Sequence, residues 1–214
     1  RLFVSCGNED AVVVHHAGTG EIREWVMTRL TPRAPAGSTP SALALSPDGS
    51  TLWVPLADNN AVAAVDVSRP GRSRVLGFVP TAWYPTAVAV SPDGKRVVVG
   101  SGKGMGTGPN ARVEGRIDPV APKGYPYIVT LLSGTIAAFD VPDADTLART
   151  SRQVLANSPY ADAHLLTPRG APKPGANPVP SRVGDPSPIQ HVLYVIKENR
   201  TYDQVLGDLK DERG

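Results

Sequence analysis

"PSALALSPDGSTLWV" at Pro40–Val54 and "PTAVAVSPDGKRVVV" at Pro85–Val99 are one pattern written twice, 45 positions apart. The Pro, both Ala residues, the whole Ser-Pro-Asp-Gly and the apolar alternation around it coincide. Ala42, Ala44 and Val54 alternate in period two with other small or apolar residues, as a half-buried strand requires. Ser-Pro-Asp-Gly is a tight turn: Pro presets φ, Asp can bond its own backbone and Gly accepts positive φ. Short strands repeating every 40–50 residues are the signature of a β-propeller blade.

The pattern extends in both directions. "AVAAVDVS" (Ala61–Ser68) follows an Asn59-Asn60 turn, and "SRVLGFVP" (Ser73–Pro80) supplies an outer strand, so one four-stranded blade runs from Pro40 to Pro80. A second begins at Pro85, is interrupted by a Gly/Pro-rich insertion from about Lys103 to Tyr127, and resumes at "GTIAAFDVPD" (Gly134–Asp143). "TIAAFDV" there matches "AVAAVDV". Upstream, "DAVVVHHA" (Asp10–Ala17) takes the third-strand place before "GEIREWVM". The expected fold class is all-β: a partial propeller of about three four-stranded blades, the first lacking its innermost strand. Propellers typically close with 4–8 blades, so this arc is not expected to close alone.

The repeats resemble the bacterial β-propeller repeats often called YVTN-type, through "PxxxxxSPDGxxxxV" and "AVAAVDV". That resemblance covers residues 1–157. It implies a fold and leaves function open, because propellers serve as scaffolds, binders and enzymes.

Composition sets wide bounds. Over 214 residues, 41% hydrophobic and 20% charged content is that of an ordinary soluble globular chain. A formal net charge of +2, with scattered basic residues, gives no phosphate-tracking patch and no expectation of nucleic acid as a partner. Cys6 is the only cysteine, which excludes an internal disulfide and a cysteine-rich metal site. No apolar run is long enough for a transmembrane segment. The chain opens on "RLFVSC", inside what reads as a strand and without a signal peptide, so upstream sequence is expected.

From Thr167 to Pro188, "TPRGAPKPGANPVPSRVGDPSP" reads as a stiff, extended connector. The organisation expected is a propeller part at 1–157, a Pro/Gly-rich linker at 158–188, and the start of a second domain at 189–214.

That second part opens with "HVLYVIKENRTYDQVLGDL" (His191–Leu209). Val192–Ile196 are apolar without alternation, the pattern of a strand buried on both faces in a parallel α/β sheet. Thr201 and Gln204 have capping-box spacing, which starts a helix at Tyr202. Glu198, Asn199 and Arg200 would then sit past the carboxyl end of the strand, where open α/β sheets bind ligands. A carboxylate beside an amide carbonyl offers two hard oxygen donors to a divalent cation. The cation could polarise a phosphoryl oxygen and activate a hydroxyl nucleophile. A surface turn explains the same residues without metal.

The full string resembles the opening motif of the phosphoesterase family that includes bacterial phospholipase C and acid phosphatase, within the alkaline phosphatase superfamily. The resemblance covers about His191 to Asp208. It implies a metal-dependent hydrolase of phosphate esters, with Glu198 and Asn199 contributing to a divalent metal site. Proteins with a YVTN-type propeller preceding such a domain are known in bacteria, which implies a periplasmic or secreted location. The resemblance places the nucleophile, a later Ser or Thr, beyond Gly214, so residues 1–214 are expected to be an inactive fragment. Arg200 can contact phosphate or pair with Asp203; the sequence does not choose. The alternative is a propeller binding or scaffold module without catalysis.

Other candidates carry simpler readings. "GKGMGTG" (Gly102–Gly108) lacks the Gly-Lys-Ser/Thr ending of a phosphate loop and reads as an insertion loop. His15 and His16 adjoin each other on a strand, so they face opposite ways and cannot share a metal. Trp53, Trp83 and Tyr84 read as core packing, and Asp203 as a carboxylate in a helix's first turn.

Overall fold

The computed structural model describes residues 1–106, 132–158, 178–179, 187–196, 205–206 and 209. They form three antiparallel sheets and one helix. The first sheet holds β1 (Leu2–Cys6), β2 (Ala11–His15) and β3 (Ile22–Met27). The second holds β4 (Ala44–Leu45), β5 (Thr51–Leu56), β6 (Ala61–Asp66) and β7 (Arg74–Pro80). The third holds β8 (Trp83–Val90), β9 (Arg96–Gly104) and β10 (Thr135–Asp140). Within each sheet the strands lie in chain order, every neighbour antiparallel. The first and third sheets each share a core cluster with the second.

The 45-residue offset is reproduced bond for bond at the two Ser-Pro-Asp-Gly turns. Ser46 and Ser91 each donate their hydroxyl to the Asp two residues on, and accept at that same oxygen the N–H of Thr51 and Arg96, both at 2.9 Å. Gly49 and Gly94 close the turns by donating to the Ser carbonyl at 2.8 Å, each with φ near +71°. The Ser46 and Ser91 hydroxyls, aided by backbone N–H groups of Ser50 and Lys95, hold Asp48 and Asp93 below their ordinary 3.8.

The core is split by the middle sheet. Leu52, Val54 and Leu56 on β5 face the first sheet and pack with Val12, Val14 and Val26. Trp53, pointing the other way because strand side chains alternate, packs with Val97 and Val99 of the third sheet. Trp53 meets Phe139 edge-on at 6.0 Å, a geometry worth about 0.5–1.5 kcal/mol beyond the area it buries.

Three expectations need correction. Among the described residues the third sheet has three strands rather than four, and the segment after β10 is the helix α1 (Ala144–Asn157). Asp143 caps it by accepting from the Thr146 N–H. The helix crosses to the outer strand of the second sheet, where Leu147 and Val154 join the two halves of the core. Thr150 donates its hydroxyl to the Phe78 carbonyl, and Ser151 accepts the Phe78 N–H at 2.8 Å, so the helix satisfies part of an otherwise open strand edge. Gly77 makes this approach possible: a Cβ there would lie 2.5 Å from Ser151 Oγ and 2.7 Å from Leu147 Cγ.

Second, β9 continues through Lys103 to Gly104, so the insertion starts later than Lys103. Third, Trp83 is exposed and Tyr84 only half-buried, with a left-handed φ of 63° and Lys103 Nζ 4.4 Å over its ring. Trp53 alone of the three is core.

Candidate functional site

Glu198, Asn199, Arg200, Thr201, Asp203 and Gln204 lie outside the described residues. The segment leading to them is described and differs from its expectation. Val192–Ile196 form no strand, and their side chains are 73–91% exposed. A strand buried on both faces needs partners on both edges and a layer on each side, and no described strand pairs with this run. His191 is exposed as well. Among the described residues, no three His, Cys, Asp or Glu groups are placed to hold a metal ion, and no helix is long and apolar enough to cross a membrane.

His15 ends β2 and His16 lies beyond it, as two partners in one hairpin rather than a metal pair. His15 Nδ1 is 2.8 Å from the Gly20 carbonyl, and His16 Nδ1 accepts the Thr19 N–H at 3.1 Å.

The described residues do assemble a charged joint between sheets. Asp10 ends the short 3-10 turn after β1 in the left-handed region, and its side chain is fully buried. Its carboxylate accepts the backbone N–H groups of Gly37 at 3.0 Å, Ser38 at 2.6 Å and Thr39 at 3.3 Å, together with Arg29 Nε at 3.1 Å. Burial opposes ionisation of Asp10, but these donors outweigh it and hold the carboxyl below its ordinary 3.8. Asn60 occupies the same place after β5, and its side-chain oxygen accepts the Tyr84 N–H at 2.8 Å. Thr39 and Tyr84 are 45 positions apart, both left-handed, and both stand immediately before the Pro that opens the next repeat. The joint is therefore made twice, once by a carboxylate and once by an amide.

Reading the sequence as strands and turns left Asp10 without a role and gave Asn60 only a place in a turn. The signal was present in "NEDAVVV" and "DNNAVAAV", where a polar residue able to adopt positive φ precedes the same Ala-Val strand start.

Arg29 connects this joint to a cavity of about 680 Å³ at the outer margin of the fold. Its walls come from the end of β3 and the turn after it, from β7, and from α1. A smaller cleft of about 400 Å³ lies between the two Ser-Pro-Asp-Gly turns. Its carboxylates, Asp48 and Asp93, are engaged by their own turns.

No protein-family model matches the chain, and no curated protein does. Several solved structures are similar over part of it. Hydrazine synthase from Kuenenia stuttgartiensis is 27% identical over 47% of this chain and 25% of its own, with a TM-score of 0.41. A putative 6-phosphogluconolactonase from Bacteroides fragilis is 21% identical over 45% of this chain and 27% of its own, with a TM-score of 0.37. Virginiamycin B lyase from Staphylococcus aureus is 18% identical over 46% and 33%, with a TM-score of 0.32. The matched region spans between a quarter and a third of the length of these proteins.

Proposed function

We propose that this chain is a propeller arc joined to the opening segment of a metal-dependent phosphoesterase, whose complete form hydrolyses phosphate esters. The carrying observation is the run Val192–Ile196, five consecutive apolar side chains with no layer over them among the described residues, followed after Lys197 by Glu198-Asn199-Arg200-Thr201. An apolar run of this length is costly in water, at roughly 1.5–3 kcal/mol for each large side chain left unburied. A central sheet strand supplied with neighbours by further chain removes that cost. It would also deliver Glu198 and Asn199 to the rim of the sheet, where a divalent cation would take their oxygens. The cation would stabilise charge on the phosphoryl oxygens, and Arg200 would assist as a planar donor.

The propeller part of the proposal rests on the two end faces of the arc. On the first sheet, residues opposite one another in the ladders place Leu2, Val4 and Trp25 on the face turned away from the core, all exposed. On the third sheet, Ile136 is 83% exposed and shares its face with Ala87, Ala89 and Ala138. Further blades on both faces would cover these surfaces as the middle sheet is covered.

The test is hydrolysis of p-nitrophenyl phosphate and bis-p-nitrophenyl phosphate by the longest natural protein containing these residues. The proposal expects activity that EDTA abolishes and a divalent cation restores. It expects Glu198→Gln to lower kcat/KM at least a hundredfold. Full activity in that variant overturns the assignment.

A further inference from the structure

The cavity of about 680 Å³ lies within the 300–1,000 Å³ range of small-molecule sites. Its wall is mainly apolar: Met27, Leu30, Val75, Leu76, Phe78 and Leu155. Two polar groups break that wall. Arg29 spends its Nε on Asp10, and its two Nη groups have no partner among the described residues. About a third of its side chain, 32%, is open, so the guanidinium can be reached from outside. Thr31 also lines the cavity, and its buried Oγ1 has no hydrogen-bond partner among the described residues. A buried hydroxyl without a partner costs stability that an oxygen-bearing guest can recover.

The charge logic favours an anion. Asp10 fixes Arg29 through one N–H, while the three backbone N–H groups on Asp10 spread its negative charge away from the cavity. The guanidinium is thereby held in place with a planar pair of donors left unpaired by the described residues, the geometry that takes a carboxylate through two parallel bonds. We infer that the cavity between β3, β7 and α1 binds an amphipathic carboxylate, with its head on Arg29 and its apolar body against β7 and α1. The site is independent of the phosphoesterase reading.

The chain contains two methionines, Met27 in the wall of this cavity and Met105 elsewhere and 82% exposed. Methyl-¹³C methionine labelling of residues 1–214 therefore gives one reporter in the site and one internal control. Decanoate is titrated below its micelle concentration, with decan-1-ol and decyl phosphate as parallel probes. The expected result is a saturable shift of the Met27 methyl with Met105 unmoved, and decanol at least tenfold weaker than decanoate. Decyl phosphate binding as tightly as decanoate would replace carboxylate selectivity by general anion selectivity and overturn the head-group assignment. Arg29→Gln is expected to weaken decanoate at least tenfold. Because Arg29 also supports Asp10, Ala148→Trp on α1 is the second variant: it fills the cavity without touching the joint, and should abolish the Met27 shift. Equal shifts at both methionines, no shift at either, decanol matching decanoate, or undiminished binding to Ala148→Trp would each overturn the proposal.

Discussion

Replacing Asp10 tests the joint between the first and second sheets most directly. In Asp10→Ala the N–H groups of Gly37, Ser38 and Thr39 and the Arg29 Nε lose their shared acceptor. Ser38 is 3% exposed, so its N–H cannot turn to water, and an unsatisfied buried donor costs about 1–3 kcal/mol. Gly37 is exposed and water replaces its bond cheaply. Removing one partner of a buried ion pair costs about 3–5 kcal/mol, and the partial exposure of Arg29 places this case at the lower end. Both figures describe the loss of one carboxylate and overlap, so the loss expected for Asp10→Ala is about 3 kcal/mol. Asp10→Asn keeps one oxygen for Ser38 but turns an NH₂ toward Arg29, and should lose about 1 kcal/mol.

Urea unfolding of residues 1–214, followed by tryptophan fluorescence, reads these losses as falls in the midpoint at constant slope. The pH dependence adds an independent sign. The folded pKa of Asp10 is depressed, so its stabilisation is complete above the ordinary 3.8 and is lost as pH falls through the folded value. The gap between wild type and Asp10→Asn should therefore be widest between about pH 5 and 7 and close progressively below pH 4. A midpoint for Asp10→Ala within 0.5 kcal/mol of wild type at pH 7, or a gap that persists unchanged in acid, would refute the reasoning; surface substitutions away from such features stay within about that limit.

Gly77→Ala should drive α1 off β7, because the new Cβ meets Ser151 and Leu147; a loss of about 1–3 kcal/mol and faster amide exchange at Phe78 are expected. Ser91→Ala removes the largest influence holding Asp93 down, so an NMR titration should find that carboxyl moved up toward 3.8 while Asp48 stays put. Trp53→Ala empties the contact between the second and third sheets and should cost about 3–5 kcal/mol by thermal or urea unfolding. Residues 1–214 alone should show no metal-dependent phosphatase turnover, and any EDTA-sensitive activity from them would overturn the proposal that the nucleophile lies elsewhere.

The strands and repeated turns were legible because their causes are local. Ser46, Asp48 and Gly49 make their bonds within a few residues, and copies of the same residues 45 positions on make them again. Helix α1 was not legible, for a reason visible on its buried face. Leu147, Thr150, Ser151 and Val154 follow helical spacing and the helix is amphipathic, but half of that stripe is hydroxyl, so few large apolar residues mark it. The hydroxyls are there for the backbone of Phe78, a partner more than seventy positions away. Asp10 was hidden in the same way: its donors lie 19 to 29 positions on, the backbone ones across the sheet boundary. The cavity beside Arg29 has no sequence signature, since three separated segments build it. The tail shows the reverse case, in which Val192–Ile196 carry strong strand composition and no strand forms among the described residues.

The placement of the Asp10 and Asn60 joints bears on how such chains lengthen. Each joint draws its acceptor from one repeat and its donor from the few residues just ahead of the next. Copying a stretch of gene one repeat long therefore carries both halves of the fastening with it, whichever strand the copy begins on. A newly inserted cassette arrives able to latch at both ends, so repeat number can change by duplication or deletion without any new fastening being invented.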